Sequence, residues 1–344
     1  MRLRRPDDWH LHLRDGTLLA AVLPHTAARF ARAVVMPNLS PPVTTTSAAL
    51  AYRERILAAL PAGMTFEPLM TLYLTDNTPA EEIRRARASG LIVGVKLYPA
   101  GATTHSDSGV TDLAQCAAAL EAIEDAGLVL QVHGEVTAST VDVFDRERIF
   151  IEEVLAPLVE RHPRLKVVLE HVTTADGVEF VRAARPGIAA TITPQHMLLN
   201  RNALFAGGLR PHHFCLPVLK AERHREAVCA AATSGDERFF LGTDSAPHSR
   251  HSKESACGCA GIFSAPVGIE AYAEAFEAAG TLDRLEGFAS VFGARFYGLP
   301  LNEGELVLEK RRWTPPAEYA AGDERLVPFR AGETVSWALA GESR

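Results

Sequence analysis

The chain's 344 residues are 47% hydrophobic and 22% charged, ordinary globular proportions that exclude collagen-like, disordered and disulfide-scaffold classes. Its 35 Lys+Arg against 42 Asp+Glu leave a net charge of -7. That balance argues against a nucleic-acid or anionic-membrane partner and leaves room for a locally cationic pocket serving a small molecule.

Short β-rich runs recur in chain order: Trp9–Leu13, Ala33–Met36, Pro68–Leu74, Ile92–Leu97, Leu128–Val132, Lys166–Glu170, Ile188–Ile192 and Arg238–Gly242. Helical patterns lie between several of them. One carries Ala49, Tyr52, Ile56 and Leu60 after a Thr44–Ser47 cap region; another carries Leu113, Cys116, Leu120 and Ile123 between an Asp112 cap and a Gly127 stop. Strand and helix in alternation imply a parallel sheet. No glycine-rich phosphate loop follows any strand, so the pattern favours a single α/β (β/α)8 TIM barrel over an open dinucleotide-binding sheet. The barrel core is expected over about residues 4–300, followed by a short C-terminal extension over 301–344, in which Trp313-Thr-Pro-Pro316 reads as an exposed turn.

A barrel gathers its chemistry at the C-terminal ends of its strands. Here those ends carry His10 and His12, Lys96, His133, His171 and Asp244. Taken singly, each has an ordinary explanation: a satisfied core histidine, a snorkelling lysine, an aspartate capping a helix. Taken together, imidazoles, an amine and a carboxylate at the ends of five strands are metal-ligand chemistry, and they exceed what one four-coordinate ion with an open position requires. Two cations about 3.5–4 Å apart need an anionic bridge. Lys96 can become one if its neutral amine adds CO2, because each oxygen of the carbamate can then take one metal. A bridging hydroxide would complete the pair and act as nucleophile, since metal coordination lowers the pKa of water from 15.7 to about 7. Asp244 could shuttle the proton, so the set suits hydrolysis of an amide-type bond or its reversal.

The arginines near the start lead into Pro6-Asp7-Asp8-Trp9-His10 instead of an apolar signal core, and no stretch is apolar enough to span a bilayer. The five cysteines, Cys116, Cys215, Cys229, Cys257 and Cys259, are few and lack a paired metal pattern, as expected of reduced thiols in the cytoplasm. Cys257-Gly-Cys259 reads as a loop.

The segments Trp9-His-Leu-His-Leu-Arg-Asp15, Met36-Pro-Asn-Leu-Ser-Pro-Pro42, Val95-Lys-Leu-Tyr-Pro99, His133-Gly-Glu135, Glu170-His-Val-Thr-Thr174, Gly242-Thr-Asp-Ser-Ala-Pro-His248 and Cys257-Gly-Cys-Ala260 together resemble the short bacterial dihydroorotases, a family of (β/α)8 amidohydrolases. The resemblance runs from about Arg4 to Gly298, with a weaker echo at Leu326–Glu333. It implies reversible, zinc-dependent cyclisation of N-carbamoyl-L-aspartate to L-dihydroorotate in pyrimidine synthesis, by a cytoplasmic homodimer. His10, His12 and Asp244 would hold one Zn2+ of each subunit and His133 and His171 the other, with N6-carboxylysine at Lys96 and a hydroxide bridging them.

The resemblance further implies that Arg14, Asn38 and His248 bind the substrate carboxylate and that backbone groups at Leu216 and Ala260 reach the ring amide. Arg14 shares the strand parity of His10, which would set its guanidinium just above the metals. The long Pro99–Asp112 connection would be a lid presenting Thr103 and Thr104, with Gly101 and His105 where the family pattern leads one to expect asparagines. Two other readings fit the sequence less well. Hydantoinases and dihydropyrimidinases wrap both termini into a β-sandwich, for which the residues before the first strand leave no room. A non-catalytic barrel scaffold would have lost ligands, and here all six positions are occupied by competent residues.

Overall fold

The computed structural model describes residues 1–256 and 258–340; Cys257 of the Cys257-Gly-Cys259 loop lies outside them. After strand β1 (Arg2–Arg4), eight strands follow: β2 (Asp7–Leu11), β3 (Arg32–Val35), β4 (Glu67–Tyr73), β5 (Ile92–Leu97), β6 (Val129–Val132), β7 (Lys166–Leu169), β8 (Ile188–Ile192) and β9 (Phe239–Leu241). They form one 8-stranded sheet in sequence order, and each neighbouring pair is parallel. Just beyond β9 the sheet curls back on β2, where Asp244 N donates to His10 O at 2.8 Å and His12 N donates to Ser245 O at 2.9 Å. This is the expected (β/α)8 barrel. All eight predicted runs are strands, with edges displaced by no more than two residues.

Alternation along each strand sorts the apolar side chains into two layers. Val34, Val168 and Ala189 point into the barrel with Trp9, Val129 and Phe240. Their strand neighbours Ala33, Val35, Val167 and Leu169 face the helices. The floor is closed by Trp9, whose ring stacks on Tyr297 at 4.6 Å and 13°. A Cβ at Gly293 would lie 2.1 Å from Trp9 Nε1, so only glycine allows that approach. Burying a side chain the size of Phe240, which is 0% exposed, contributes on the order of 1.5–3 kcal/mol. The polar upper end of the barrel therefore sits on a rigid base.

The helix Thr46–Ala58 follows the sequence pattern: the Thr45 side chain caps it by accepting from Ala48 N, and Ala49, Tyr52 and Ile56 are buried. The other expected helix begins later than its pattern, at Ala117, and ends at Gly127 with φ 64. Residues Asp112–Cys116 instead form tight turns, with Gln115 N donating to Asp112 O and Cys116 N to Leu113 O, while Asp112 Oδ1 takes Ala114 N. A short polar side chain that captures a nearby N–H competes with helix formation in this way.

The termini meet. β1 pairs antiparallel with β10 (Glu305–Glu309), and β10 pairs with β13 (Ala338–Leu339). Between them, β11 (Tyr319–Ala321) and β12 (Glu324–Leu326) form a hairpin. The residues before the barrel, expected to leave no room for a β-sandwich, supply one three-residue strand of this small sheet. The expected exposed turn at Trp313 is also corrected. Trp313 is 8% exposed, its Nε1 donates to Trp337 O at 2.6 Å, and its backbone pairs with Val335. An indole with a partner for its N–H is free to bury its apolar body.

Candidate active site

His10 lies in β2 and His12 one residue past it, Lys96 lies in β5, His133 directly follows β6, and His171 and Asp244 lie just past β7 and β9. Ligand atoms of His10, His12 and Asp244 fall within 4.8 Å of one another. Asp244 Oδ1 is 3.1 Å from His12 Nε2 and 3.4 Å from His10 Nε2. The imidazole row continues across the barrel, with ring centres 5.0 Å apart for His10 and His171 and 4.9 Å for His171 and His133.

His171 and Asp244 have φ of 42° and 44°, left-handed conformations that cost on the order of 1–3 kcal/mol each at residues other than glycine. Both are held from several sides. Asp8 accepts from Thr243 N at 2.8 Å and from the Thr243 hydroxyl at 2.5 Å. Thr191 Oγ1 accepts from His171 N at 2.7 Å. Glu147, 1% exposed, accepts from the backbone N–H and hydroxyl of both Thr173 and Thr174. The strand ends are thereby turned so that the side chains converge.

The donor chemistry fits a metal pair. His10 Nδ1 donates to Glu170 Oε2 at 2.8 Å, His12 Nδ1 to Asn38 Oδ1 at 2.7 Å and His133 Nε2 to Glu135 Oε2 at 2.9 Å. Each bond fixes a tautomer whose other nitrogen keeps its lone pair, the usual support of a metal-ligating histidine. Among the described residues His171 Nδ1 and Lys96 Nζ are buried and have no hydrogen-bond partner, although buried polar atoms are normally satisfied. Burial, with Arg14 next, holds the His12 pKa well below the usual imidazole value; burial, with His133 next, does so for His171. Burial also raises the Asp244 pKa. It brings the Lys96 amine down to about 8, so its neutral form is more accessible than that of an exposed lysine.

Arg14 reaches the same cavity by a route that strand parity does not describe. β2 has ended at Leu11 and Arg14 itself has φ 60°. Arg14 is 7% exposed, and its guanidinium donates from Nε to Pro247 O at 3.0 Å and from Nη2 to His248 Nε2 at 2.9 Å. Burial, and then Arg14, push His248 down to about 2, so it accepts as a neutral ring. Among the described residues no carboxylate stands within ion-pair distance of Arg14, and a buried cation so placed is a receptor for an anion.

Asn38 is in the cavity wall, but its amide is already engaged: Oδ1 by His12, and Nδ2 as donor to Thr104 O at 3.1 Å. It thus joins a ligand histidine to the loop above. Thr103, Thr104, Leu216 and Ala260 line the cavity, and the Thr104 hydroxyl donates to Ala260 O at 3.4 Å. The Pro99–Asp112 connection lies over the site, fastened at its base by Val110 N to Tyr98 O at 2.8 Å and Ala100 N to Val110 O at 3.0 Å.

Several residues were not singled out in the sequence. Glu135 stands two positions from His133 and was within reach of spacing arguments. Glu170 is adjacent to His171 yet serves His10, which no local pattern discloses. Tyr98 shares the strand parity of Lys96; it is 1% exposed, lines the cavity, and among the described residues its hydroxyl has no partner. Burial raises its pKa well above the usual phenol value, so it stays a donor.

An amidohydrolase family model matches residues 8–308. The chain is 65% identical over 98% of both chains to a dihydroorotase of Cupriavidus pinatubonensis and 64% identical, at the same coverage, to one of Azoarcus sp.. Among solved structures, dihydroorotase from Campylobacter jejuni superposes with TM-score 0.90 at 37% identity, covering 99% of this chain and 97% of that one. Dihydroorotase from Saccharomyces cerevisiae, solved in complex with 5-fluoroorotic acid, gives 0.92 at 32% identity, with 100% and 99% covered. An L-hydantoinase from Arthrobacter aurescens, at 17% identity, TM-score 0.82 and coverage of 98% and 83%, shares the fold. The chain belongs to the amidohydrolase family, among its dihydroorotases.

Proposed function

We infer that the protein is a metal-dependent cyclic amidohydrolase that interconverts N-carbamoyl-L-aspartate and L-dihydroorotate, the latter formed with loss of water. The observation that carries the substrate assignment is Arg14, a buried guanidinium facing the histidine–aspartate centre and without a carboxylate partner among the described residues. A cyclic amide bearing its own carboxylate satisfies both features.

In this reading His10, His12 and Asp244 would hold one zinc ion and His133 and His171 the other, and Lys96 would be carbamylated to serve both; Lys96 Nζ and His171 Nδ1, without a hydrogen-bond partner among the described residues, support it. When bound, the ions supply a Lewis acid for the substrate carbonyl and a water acidic enough to attack at neutral pH. Arg14, with His248 and the second Nδ2 hydrogen of Asn38, holds the carboxylate and orients the ring. Backbone groups of Leu216 and Ala260 meet the ring amide. Thr103 and Thr104 close above it and exclude bulk water.

Asp244 takes the proton released by the attacking water and hands it to the ring nitrogen as the amide bond opens. In cyclisation the same carboxyl receives the proton from the ureido nitrogen. The barrel and its C-terminal extension act as one catalytic unit in a cytoplasmic homodimer, an assignment supported by the resemblance alone. A comparison of dihydroorotate, hydantoin and an organophosphate as substrates tests the assignment: dihydroorotate is expected to be strongly preferred, and preference for either alternative would overturn it.

A further inference from the structure

Two walls of the cavity present backbone instead of functional side chains: the segment around Leu216 and the segment Ala260–Gly261. Among the described residues neither Leu216 N–H nor Ala260 N–H donates to a protein acceptor, and both segments are loops between regular elements. A hydrogen-bonding wall made of loop backbone needs something to hold it in register, because misplacement by about 1 Å removes most of its value.

Lys253, at the end of the short helix Arg250–Lys253, is outside the cavity lining and is 3% exposed. Its Nζ donates to Phe214 O at 2.8 Å, to Cys259 O at 2.8 Å and to Gly261 O at 2.7 Å. All three ammonium hydrogens therefore go to main-chain carbonyls, and among the described residues no carboxylate stands within ion-pair distance. An ammonium buried without a counterion is an expensive way to secure loops that an apolar side chain could pack against. What it adds is geometry and polarisation. One side chain ties the 214–216 segment to the 259–261 segment, reinforced by Gly261 N donating to Phe214 O at 3.0 Å. A Cβ at Gly261 would lie 2.4 Å from Ala246 O, so the wall is also packed tightly from behind. The Cys259 carbonyl and the Ala260 N–H belong to one peptide group, and a cation on its oxygen strengthens its N–H as a donor. The lid rests on the same segment through Thr104 Oγ1 and Ala260 O.

We propose that Lys253 is a positioning residue for the substrate's ring amide: its buried ammonium grips the Phe214, Cys259 and Gly261 carbonyls, fixing the backbone wall at Leu216 and Ala260 and sharpening the Ala260 N–H toward the ring. The proposal rests on the dihydroorotase reading of the site. Lys253→Met keeps the volume and removes the donors. In the metal-loaded full-length enzyme it is expected to raise the Kd for 5-fluoroorotate and the KM for dihydroorotate by about tenfold or more, equivalent to one lost strong hydrogen bond. Metal content per chain and the pH profile of hydrolysis should match the wild type. Lys253→Gln, which keeps a neutral donor, should fall between the two, and it replaces the methionine variant if that chain does not fold. A Kd within twofold of wild type in the folded methionine variant, a Kd no higher than wild type in the glutamine variant where that replaces it, or loss of metal in step with loss of affinity, overturns the role of Lys253. Failure of the wild type itself to bind 5-fluoroorotate overturns the functional reading as well, so the two failures are distinguishable.

Discussion

Glu170 Oε2 accepts from His10 Nδ1 at 2.8 Å across 160 residues of chain, joining the end of β7 to β2. The carboxylate fixes the tautomer that aims His10 Nε2 at Asp244 Oδ1, and it sits beside His171 in sequence while serving the opposite side of the centre. Glu170→Ala is expected to weaken metal affinity by about 10- to 100-fold, the usual effect of losing such a partner. Titration of metal into chelator-treated protein measures it; an unchanged affinity would contradict the assignment.

The Tyr98 hydroxyl separates stability from activity. It is buried with no partner among the described residues, and an unsatisfied buried hydroxyl destabilises by about 1–3 kcal/mol. Tyr98→Phe is therefore expected to keep or raise the Tm while lowering kcat/KM by about tenfold, because the phenol meets its acceptor only with substrate present. Calorimetry and steady-state kinetics on the same preparation check both halves, and a fall in Tm with unchanged kcat/KM would reverse the picture.

Asp244→Asn removes the proton carrier and keeps an oxygen near His10 and His12. Turnover should fall by about 10²–10⁴ in both directions, with some metal retained. Near-normal rates would rule out a proton-transfer role for this carboxyl.

Buried neutral histidines make the metal-free protein sensitive to acid. Burial lowers His196 to about 4, below its value of about 6.5 in an unfolded chain. Between these pH values the unfolded state binds more protons, so stability is complete above about 6.5 and is lost as pH falls toward 4. Urea midpoints of metal-free protein should rise with pH across that window, and His196→Gln should flatten part of the slope. A pH-independent midpoint in the unmutated protein would refute it.

Much of this was legible in the sequence because barrel strands are short apolar runs and their ends carry the chemistry. Val93, Val95 and Leu97 frame Lys96 well enough to place it in a strand, and His10 and His12 announce a shared face. The less legible parts depend on contacts between distant segments or on backbone angles that composition does not encode. Arg14 reaches the cavity through a left-handed turn, not through strand parity. Trp313 is buried because Trp337 and Val335 return to meet it. Ala117 starts its helix late because Asp112 captures a nearby N–H. Lys253 reads as one more surface lysine until the three carbonyls around it are seen.

The central claim is a pair of metal ions sharing a carbamate on Lys96, and an anomalous-scattering map of crystals grown from protein never exposed to chelator tests it most directly. The account predicts two strong peaks, one among His10, His12 and Asp244 and one beside His133 and His171, with density for a carboxylated Lys96 between them. A bare Lys96 ammonium with no anomalous peak near the imidazoles would contradict it.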